Sequence, residues 1–359
     1  MTNRVFTAIG LMSGTSLDGV DAALIRTDGE SVVDPGPWVS IPYPDDLRAA
    51  IRALLGVTSR GKAVDEAVRS LTKHHIQVVN KLLKENTLNN SNIDIIGFHG
   101  HTITHRPEDR FTWQIGDAAM LAQALGVEVV ADFRGADVAA GGQGAPFAPL
   151  YHRALCHGDE PVAVLNIGGV ANVSWVGDDA LVAFDTGPGN ALIDDWVARH
   201  DRGRFDADGL FARAGTANGA IVTRMLAAPY FQAPPPKSLD RQDFDLAALQ
   251  NLTLEDGAAT LTEVTVEAVA GARAHFPAPV SRWLVTGGGR HNGFLMGRLA
   301  ARLGATVEPV EAVGWQGDAL EAQAFGFLAV RSLRGLPLSL PATTGVPAPQ
   351  IGGRLFKPG

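Results

Sequence analysis

The chain has 359 residues, of which 46% are hydrophobic and 19% charged, a balance that buries a sizeable core and is typical of a globular protein. Its 30 basic and 38 acidic residues give a formal net charge of -8 without a Lys/Arg-rich patch, which disfavours a nucleic-acid partner. The single cysteine, Cys156, excludes an intrachain disulfide, and no apolar run approaches the roughly 18 residues of a membrane span.

The N-terminal half opens with a predicted β-hairpin. Val5–Leu11 and Val20–Ile25 are apolar strands, and Gly14 and Gly19 bracket the turn-rich segment between them. No long apolar stretch precedes this segment, which argues against a signal peptide and favours a cytoplasmic protein. The elements expected next are a helix over Val64–Leu83, a strand over Ile93–Phe98, a helix over Met120–Leu125 and a strand over Val127–Ala131.

The second half contains short, almost continuously apolar strands, which are typical of a sheet covered on both faces. The elements expected there are strands over Pro161–Ile167, Leu181–Phe184 and Trp283–Thr286, a Pro-rich loop over Pro229–Pro236, and helices over Ala191–Ala198, Ala258–Ala274 and Asp318–Leu333. The glycine-rich stretch Arg134–Gly144 marks a boundary, and the chain length favours two domains. We therefore predict an α/β domain over residues 1–133, completed by the tail 342–359, and a second α/β domain over residues 134–341.

Glycine-rich turns follow apolar strands in both halves. They lie at residues 10–24, 165–174, 184–190 and 284–293. Glycine allows close approach of the backbone to a phosphate, and a turn that leads into a helix directs free N–H groups at an anion. One such turn is common in α/β proteins, but turns spread over both halves predict a nucleotide held in a cleft between them.

Three carboxylates each have a functional and a purely structural interpretation. Asp18 in the first turn could contact Mg²⁺ or form local turn hydrogen bonds, and its position favours the turn. Asp185 ends an apolar strand, where a general base and an Asx-turn residue are equally expected. Glu321 follows Asp318 with the spacing of a capping box, which favours a helix cap over a site residue.

Three histidines follow the strand that ends at Phe98. His99, His101 and His105 lie in the segment FHGHTITH, and a His-x-His pair at a strand end could bind a divalent metal. This pair supports an alternative function, a metal-dependent hydrolase that uses His99 and His101. Hydrogen-bonding loop histidines are more common than metal ligands, so the residues favour a structural role.

A set of collinear segments from residue 9 to about 330 is far more specific than any single turn. The segments are GLMSGTSLDGVDAAL, IGFHGHTITHRP, TWQIGDAAMLA, VVADFRGADVAAGGQGAPFAP, VLNIGGVANVS, AFDTGPGNALIDDW, PPPKSLDRQDF, VTGGGRHN and ALEAQAFGFLA. Together they resemble the anhydro-N-acetylmuramic acid kinase family. The resemblance implies the actin-like ATPase (ribonuclease H-like) fold, in which two α/β domains enclose a nucleotide cleft.

The resemblance also implies a reaction and its participants. The family converts 1,6-anhydro-N-acetylmuramic acid, ATP and water into N-acetylmuramic acid 6-phosphate and ADP during peptidoglycan recycling in the cell wall. Its members need Mg²⁺ and are typically homodimers. The same fold also permits a third, non-enzymatic alternative, an actin-like ATPase that uses nucleotide only as a switch.

The resemblance assigns roles to individual residues. Asp185 matches the general base that directs water at the anomeric carbon, and Glu321 would orient the sugar rather than cap its helix. Arg134 and Asp137 are expected to contact the sugar or its lactyl carboxylate, because an arginine fork binds a carboxylate through two parallel hydrogen bonds. Asp18 is the expected Mg²⁺ contact. The residues expected at the nucleotide are Gly14, Thr15, Ser16, Leu17, Asp18, Gly19, Val20, Asp21, Gly168, Gly169, Gly287, Gly288 and Gly289.

Overall fold

A computed structural model describes residues 4–14, 16–156, 158, 160–239, 244 and 246–359. The chain forms two compact units, one built from the residues up to Leu155 together with Asp318–Gly359, the other from Cys156–Gly317. Within the described residues, no helix has the length and hydropathy that a membrane span requires.

The unit boundaries differ from the domain limits predicted at residues 133 and 341. The glycine-rich stretch after Arg134 stays with the first unit, because the Gln143 amide donates to the carbonyl oxygen of Thr344 at 2.6 Å. Tyr151 likewise donates to Gln323 at 3.0 Å. Along the sequence, the first unit therefore includes residues before and after the second unit, and a local change of composition does not reveal these long-range contacts.

The chain contains both strands and helices in each unit, as expected for an α/β chain. The strands are β1 (Phe6–Ser13), β2 (Gly19–Thr27), β3 (Val33–Pro42), β4 (Ile95–Arg106), β5 (Phe111–Ile115), β6 (Val129–Ala131), β7 (Val162–Ile167), β8 (Val170–Val176), β9 (Leu181–Pro188), β10 (Arg282–Thr286), β11 (Thr306–Pro309) and β12 (Arg354–Phe356). The α-helices are α1 (Asp45–Arg52), α2 (Lys62–Glu85), α3 (Ala118–Leu125), α4 (Gly135–Ala139), α5 (Pro149–Leu155), α6 (Ala191–Arg199), α7 (Leu210–Ala214), α8 (Gly219–Leu226), α9 (Pro229–Gln232), α10 (Leu254–Ala272), α11 (Gly293–Leu303), α12 (Leu320–Leu333) and α13 (Pro341–Thr344).

The two sheets share one topology in five of their strands, and the first sheet adds β5 and β12. In the first unit the order is β12-β6-β4-β1-β2-β3, with β5 paired to β4, and in the second unit it is β11-β10-β7-β8-β9. Each sheet combines three sequential antiparallel strands with two strands that run parallel to the first of them. When the five shared strands of each sheet are numbered in chain order, their spatial order is 3-2-1-4-5, which is that of the ribonuclease H-like fold. This confirms the predicted fold class.

Two glycines allow helix α12 to lie directly on the first sheet. Gly10 in β1 and Gly97 in β4 are register partners. A Cβ atom at Gly10 would lie 1.7 Å from the carbonyl oxygen of Ala322, and one at Gly97 would lie 2.1 Å from that of Phe325. Any side chain here would push the helix away from the sheet. The close packing fixes the start of α12, and with it Glu321, relative to β1 and β4.

Candidate functional site

Asp185 lies near the end of β9, the edge strand of the second sheet, and is 7% exposed. Its amide donates to the carbonyl oxygen of Lys237 at 3.0 Å, and the Leu239 amide donates to its Oδ2 at 2.8 Å. The Tyr230 hydroxyl donates to its carbonyl oxygen at 2.6 Å. Helix α6 begins later, after Asn190, so Asp185 does not cap that helix. The carboxylate is therefore held by a distant loop rather than by a local turn.

The glycine turns of the second unit meet at one edge of its sheet. Strands β7 and β10 are parallel neighbours, so the turns containing Gly168–Gly169 and Gly287–Gly289 follow adjacent carboxyl ends. Gly287 has φ of +75°, and a Cβ atom there would lie 2.4 Å from Asn166 Oδ1. The Gly168 carbonyl oxygen accepts from the Asn190 amide at 2.8 Å. The structure thus brings together three of the predicted segments, 165–174, 184–190 and 284–293.

The predicted phosphate segment of the first unit spans the β1–β2 connection. Thr15 lies outside the described residues. Leu17 has φ of +60°, a conformation that a leucine rarely adopts, and its amide donates to the Gly14 carbonyl oxygen at 3.1 Å. The side chains of Leu17 and Val20 are buried in the core. Only the main chain of these two residues could therefore contact a nucleotide.

Burial and the charges of neighbouring carboxylates raise the pKa values of Asp21 and Glu321 in the first unit. Burial raises the pKa of Asp21 to about 6, with further contributions from the negative charges of Asp318 and Asp18, while a hydrogen bond from Ser40 opposes the shift. The pKa of Glu321 is also raised, first by desolvation and then by the charge of Asp21, and the charge of Arg134 opposes this. The structure therefore groups Asp18, Asp21 and Glu321 electrostatically.

The capping box predicted at Glu321 is absent. The N-cap of α12 is Ala319, which makes no side-chain hydrogen bond to the helix, and Glu321 is the second residue of the helix. Although the side chain is solvent-accessible, enough protein surrounds it to desolvate the carboxylate. The helix cap predicted for Glu321 from residue spacing is therefore wrong.

We expect Asp21→Asn to stabilise the protein at neutral pH. The folded-state pKa of Asp21, about 6, exceeds the ordinary value of 3.8, so the folded protein favours the protonated carboxyl group. The contribution of Asp21 to the free energy of unfolding is therefore largest below pH 3.8 and is lost as the pH rises through 6. The substitution should raise the free energy of unfolding at pH 7.5 by about 2 kcal/mol and far less at pH 4. Urea unfolding at both pH values checks this, with Asp34→Asn, an exposed position of the same unit, as the control. An equal effect of Asp21→Asn at both pH values would contradict it.

Arg134 is held on two sides. Its Nε donates to His99 Nε2 at 3.0 Å, and its Nη1 donates to the Gly144 carbonyl oxygen at 2.6 Å. The guanidinium also lies 5.5 Å from the ring centroid of Phe147. Burial, and then the charge of Arg134, lower the pKa of His99 well below its usual range. The neutral His99 ring therefore carries its proton on Nδ1, which donates to the Gly100 carbonyl oxygen at 2.9 Å.

Asp137 serves the packing of the first unit. Its side chain is 1% exposed, and its oxygens accept from the Gly144 amide at 2.7 Å, the Ser339 hydroxyl at 2.5 Å and the Thr344 hydroxyl at 2.6 Å. These contacts connect the loop after α4 with the C-terminal tail. These buried partners occupy the carboxylate, so the structure adds no support to the sugar contact expected of Asp137.

The three histidines lie within strand β4 rather than in a loop after it, and they do not form a metal site. Both ring nitrogens of His99 have hydrogen-bond partners, one of them the cationic Arg134. His101 Nδ1 lies 2.7 Å from the buried Ser13 hydroxyl, and His105 contacts Thr112 and the Gln143 carbonyl oxygen. Among the described residues no group of three or more His, Cys, Asp or Glu side chains could hold a metal ion. The structure therefore gives no support to the metal-dependent hydrolase.

Sequence reasoning missed the role of the segment from Tyr230 to Leu239, and it predicted a loop over Pro229–Pro236 where the structure has helix α9 at Pro229–Gln232. Tyr230, Lys237 and Leu239 surround Asp185, yet none was assigned a role. For Lys237 and Leu239 the available signal was the segment PPPKSLDRQDF, which carried the family resemblance without a function attached to it; no segment of that resemblance contained Tyr230.

The chain is similar to proteins described as anhydro-N-acetylmuramic acid kinases. The profile of the family described as anhydro-N-acetylmuramic acid kinase matches residues 6–358. A protein of that name from Paramagnetospirillum magneticum is 56% identical over 357 residues, covering 98% of this chain and 99% of the relative. One from Rhodospirillum rubrum is 55% identical, covering 96% of this chain and 93% of the relative.

Similar solved structures are more distant. An activator of 2-hydroxyisocaproyl-CoA dehydratase from Clostridium difficile aligns with a TM-score of 0.47 and 10% identity, covering 91% of this chain and 96% of the activator. A ROK family glucokinase from Streptomyces griseus aligns with a TM-score of 0.42 and 14% identity, covering 90% of this chain and 99% of the glucokinase.

Proposed function

This chain belongs to the anhydro-N-acetylmuramic acid kinase family, and from that premise we propose that it phosphorylates 1,6-anhydro-N-acetylmuramic acid with ATP. The observation that carries the proposal is the match of the family profile to residues 6–358. We place the reaction in peptidoglycan recycling in the cytoplasm and expect a homodimer, on the strength of the family resemblance.

The proposed reaction couples hydrolytic opening of the anhydro ring to transfer of a phosphoryl group. A water molecule attacks the anomeric carbon C1 as the C1–O6 bond of the anhydro ring breaks. The departing O6 takes the γ-phosphoryl group of ATP, so the products are N-acetylmuramic acid 6-phosphate and ADP. Water approaches opposite the leaving oxygen, which inverts C1 as in inverting glycosidases. Phosphorylation captures O6, so no separate protein acid is needed to protonate it.

Asp185 is the proposed general base that takes the proton from this water. Its carboxylate is largely buried, and the Leu239 amide donates to one of its oxygens. A base of this kind must be oriented before the reaction, because it has to receive a proton while it aligns the nucleophile. The long-range hydrogen bonds around Asp185 support this role.

The glycine turns and the carboxylates of the first unit are the proposed nucleotide and Mg²⁺ contacts. Amides of the segment from Gly14 to Asp21, with those of the turns at Gly168 and Gly287, would bind phosphate oxygens. Asp18 is the proposed Mg²⁺ contact: its negative charge acts on Asp21, and a cation held there largely by water and phosphate oxygens would relieve that repulsion. Mg²⁺ commonly uses one or two carboxylates with water and substrate phosphates, and it would neutralise charge on the transferred phosphoryl group.

Arg134 and Glu321 are the proposed sugar contacts. The buried anchors of Arg134, His99 and Gly144, hold its guanidinium in one orientation, as required for recognition of the lactyl carboxylate. The raised pKa of Glu321 favours a carboxyl group that can share a proton with a sugar hydroxyl. The helix packing at Gly10 and Gly97 fixes the position from which Glu321 acts.

Incubation with ATP and the anhydro-sugar in ¹⁸O-labelled water tests the proposed function. We expect mass spectrometry to find one phosphate gained and ¹⁸O at the anomeric position. Product without the label would refute the coupled ring opening. Sugar-independent ATP turnover without a phosphorylated sugar would instead support the nucleotide switch.

A further inference from the structure

The main chain of Asp185 needs partners that its sheet does not supply. It lies on β9, an edge strand, and the outward N–H and C=O groups of an edge strand have no neighbouring strand. A segment more than 40 residues later supplies these partners: the Asp185 amide donates to Lys237 and its carbonyl oxygen accepts from the Tyr230 hydroxyl, at 3.0 and 2.6 Å. In the same segment, the Leu239 amide donates to the Asp185 carboxylate at 2.8 Å.

Within this segment, the side chain of Lys237 contacts Tyr230. Its ammonium group donates to the Tyr230 carbonyl oxygen at 3.0 Å and lies 4.6 Å from the centroid of the Tyr230 ring. Lys237 is half-buried, and this burial lowers the pKa of its amino group. The hydrogen bond and the cation–π contact therefore connect the two ends of the loop over Asp185.

We infer that Tyr230 is a positioning residue for the reaction, and that Lys237 holds Tyr230 in place for this task. The inference rests on the proposed role of Asp185 as the base. Tyr230 fixes the main chain of Asp185 on the side where β9 has no neighbouring strand. The segment that follows Tyr230 carries the Leu239 amide, which orients the Asp185 carboxylate.

This arrangement should affect turnover rather than substrate binding. A base that aligns water with a departing oxygen tolerates little displacement, and a shift of about 1 Å can lower the rate about 100-fold. Neither Tyr230 nor Lys237 is needed to bind ATP or sugar in this scheme. Loosening the loop should thus lower kcat while both KM values stay within about twofold of wild type.

Tyr230→Phe is the sharpest test, because it keeps the ring beneath Lys237 and removes only the hydroxyl that donates to Asp185. We expect kcat to fall by about 10-fold. Tyr151→Phe is the matched control, since Tyr151 also loses one hydroxyl hydrogen bond, to Gln323, but belongs to the first unit, whereas Asp185 belongs to the second. Its kcat should equal that of the wild type even if its melting temperature falls.

Lys237→Met provides a second, independent variant that keeps the aliphatic stem and removes the ammonium group. We expect a similar fall in kcat, and the double variant Tyr230→Phe/Lys237→Met should fall no further than the more impaired single variant, because both act through one contact. Independent, multiplicative losses would overturn the inference that Lys237 acts through Tyr230.

The outcome for Tyr230→Phe separates this inference from the proposed function. If Asp185→Asn is inactive while Tyr230→Phe retains a wild-type kcat, the positioning role is wrong and the base assignment stands. A raised sugar KM with unchanged kcat would also overturn the inference, since it would place Tyr230 in substrate binding. Full activity of Asp185→Asn would instead show that the proposed base itself is wrong.

Discussion

Asp185→Asn is expected to lower kcat by at least about 10²–10⁴-fold while the protein remains folded and binds nucleotide. The asparagine oxygen can still accept from the Leu239 amide, so the loop contact survives. A neutral amide cannot take the proton of the attacking water, and the loss should therefore fall on the chemical step. Steady-state kinetics with the anhydro-sugar and calorimetric titration with a nonhydrolysable ATP analogue measure the two properties separately.

Asp206→Asn is the matched control for this substitution. Asp206 belongs to the same unit, is 5% exposed and accepts from the amides of Phe211 and Ala212 at 2.8 and 3.0 Å. It has no proposed part in the reaction. A similar loss of kcat in both variants would attribute the effect to folding, and a fully active Asp185→Asn enzyme would refute the mechanism.

Arg134→Lys is expected to raise the KM for the anhydro-sugar by about 10- to 100-fold. Lysine keeps the charge but loses the planar fork, and a hydrogen bond to a charged group contributes about 1.5–3 kcal/mol. Lysine also cannot satisfy His99 and Gly144 together in the geometry that the guanidinium has. The KM for ATP should change little. Initial rates over a matrix of both substrate concentrations give the two values.

A change of substrate can assign this effect to the lactyl carboxylate. With 1,6-anhydro-N-acetylglucosamine, which lacks the lactyl group, wild type and Arg134→Lys should turn over at similar rates. Arg331→Lys is the control variant, because Arg331 is also buried, donates to backbone carbonyl oxygens and lies 5.7 Å from an aromatic ring centroid. If Arg134→Lys still prefers the lactyl sugar over 1,6-anhydro-N-acetylglucosamine as strongly as the wild type does, Arg134 does not contact the lactyl carboxylate.

Much of the first sheet was predictable because short-range patterns specify it. The hairpin over Val5–Leu11 and Val20–Ile25 is confirmed as β1 and β2, and the periodic segment Val64–Leu83 is confirmed as α2. Strand β3 was missed, since Pro35, Gly36 and Pro37 interrupt it and such residues usually argue against a strand. Its place at the sheet edge explains why prolines are tolerated there.

The candidate site was predictable only in part. The glycine turns were found because the sequence shows where strands end, and parallel pairing of β7 and β10 then brings two of the turns together. The interpretation of Glu321 as a cap failed, because helix α12 begins at Leu320 and its N-cap is Ala319. Family resemblance, rather than spacing, gave the role that we propose for Glu321.

The sequence by itself determined the family, the α/β class and the segments that carry chemistry, since each of these depends on residue identity and near-neighbour spacing. Only the tertiary structure decided which partners those residues have. Asp137 accepts from Thr344, 207 residues away, and Asp185 from Leu239, 54 residues away. Such hydrogen bonds form only once the sheets and loops are assembled, so no local pattern encodes them.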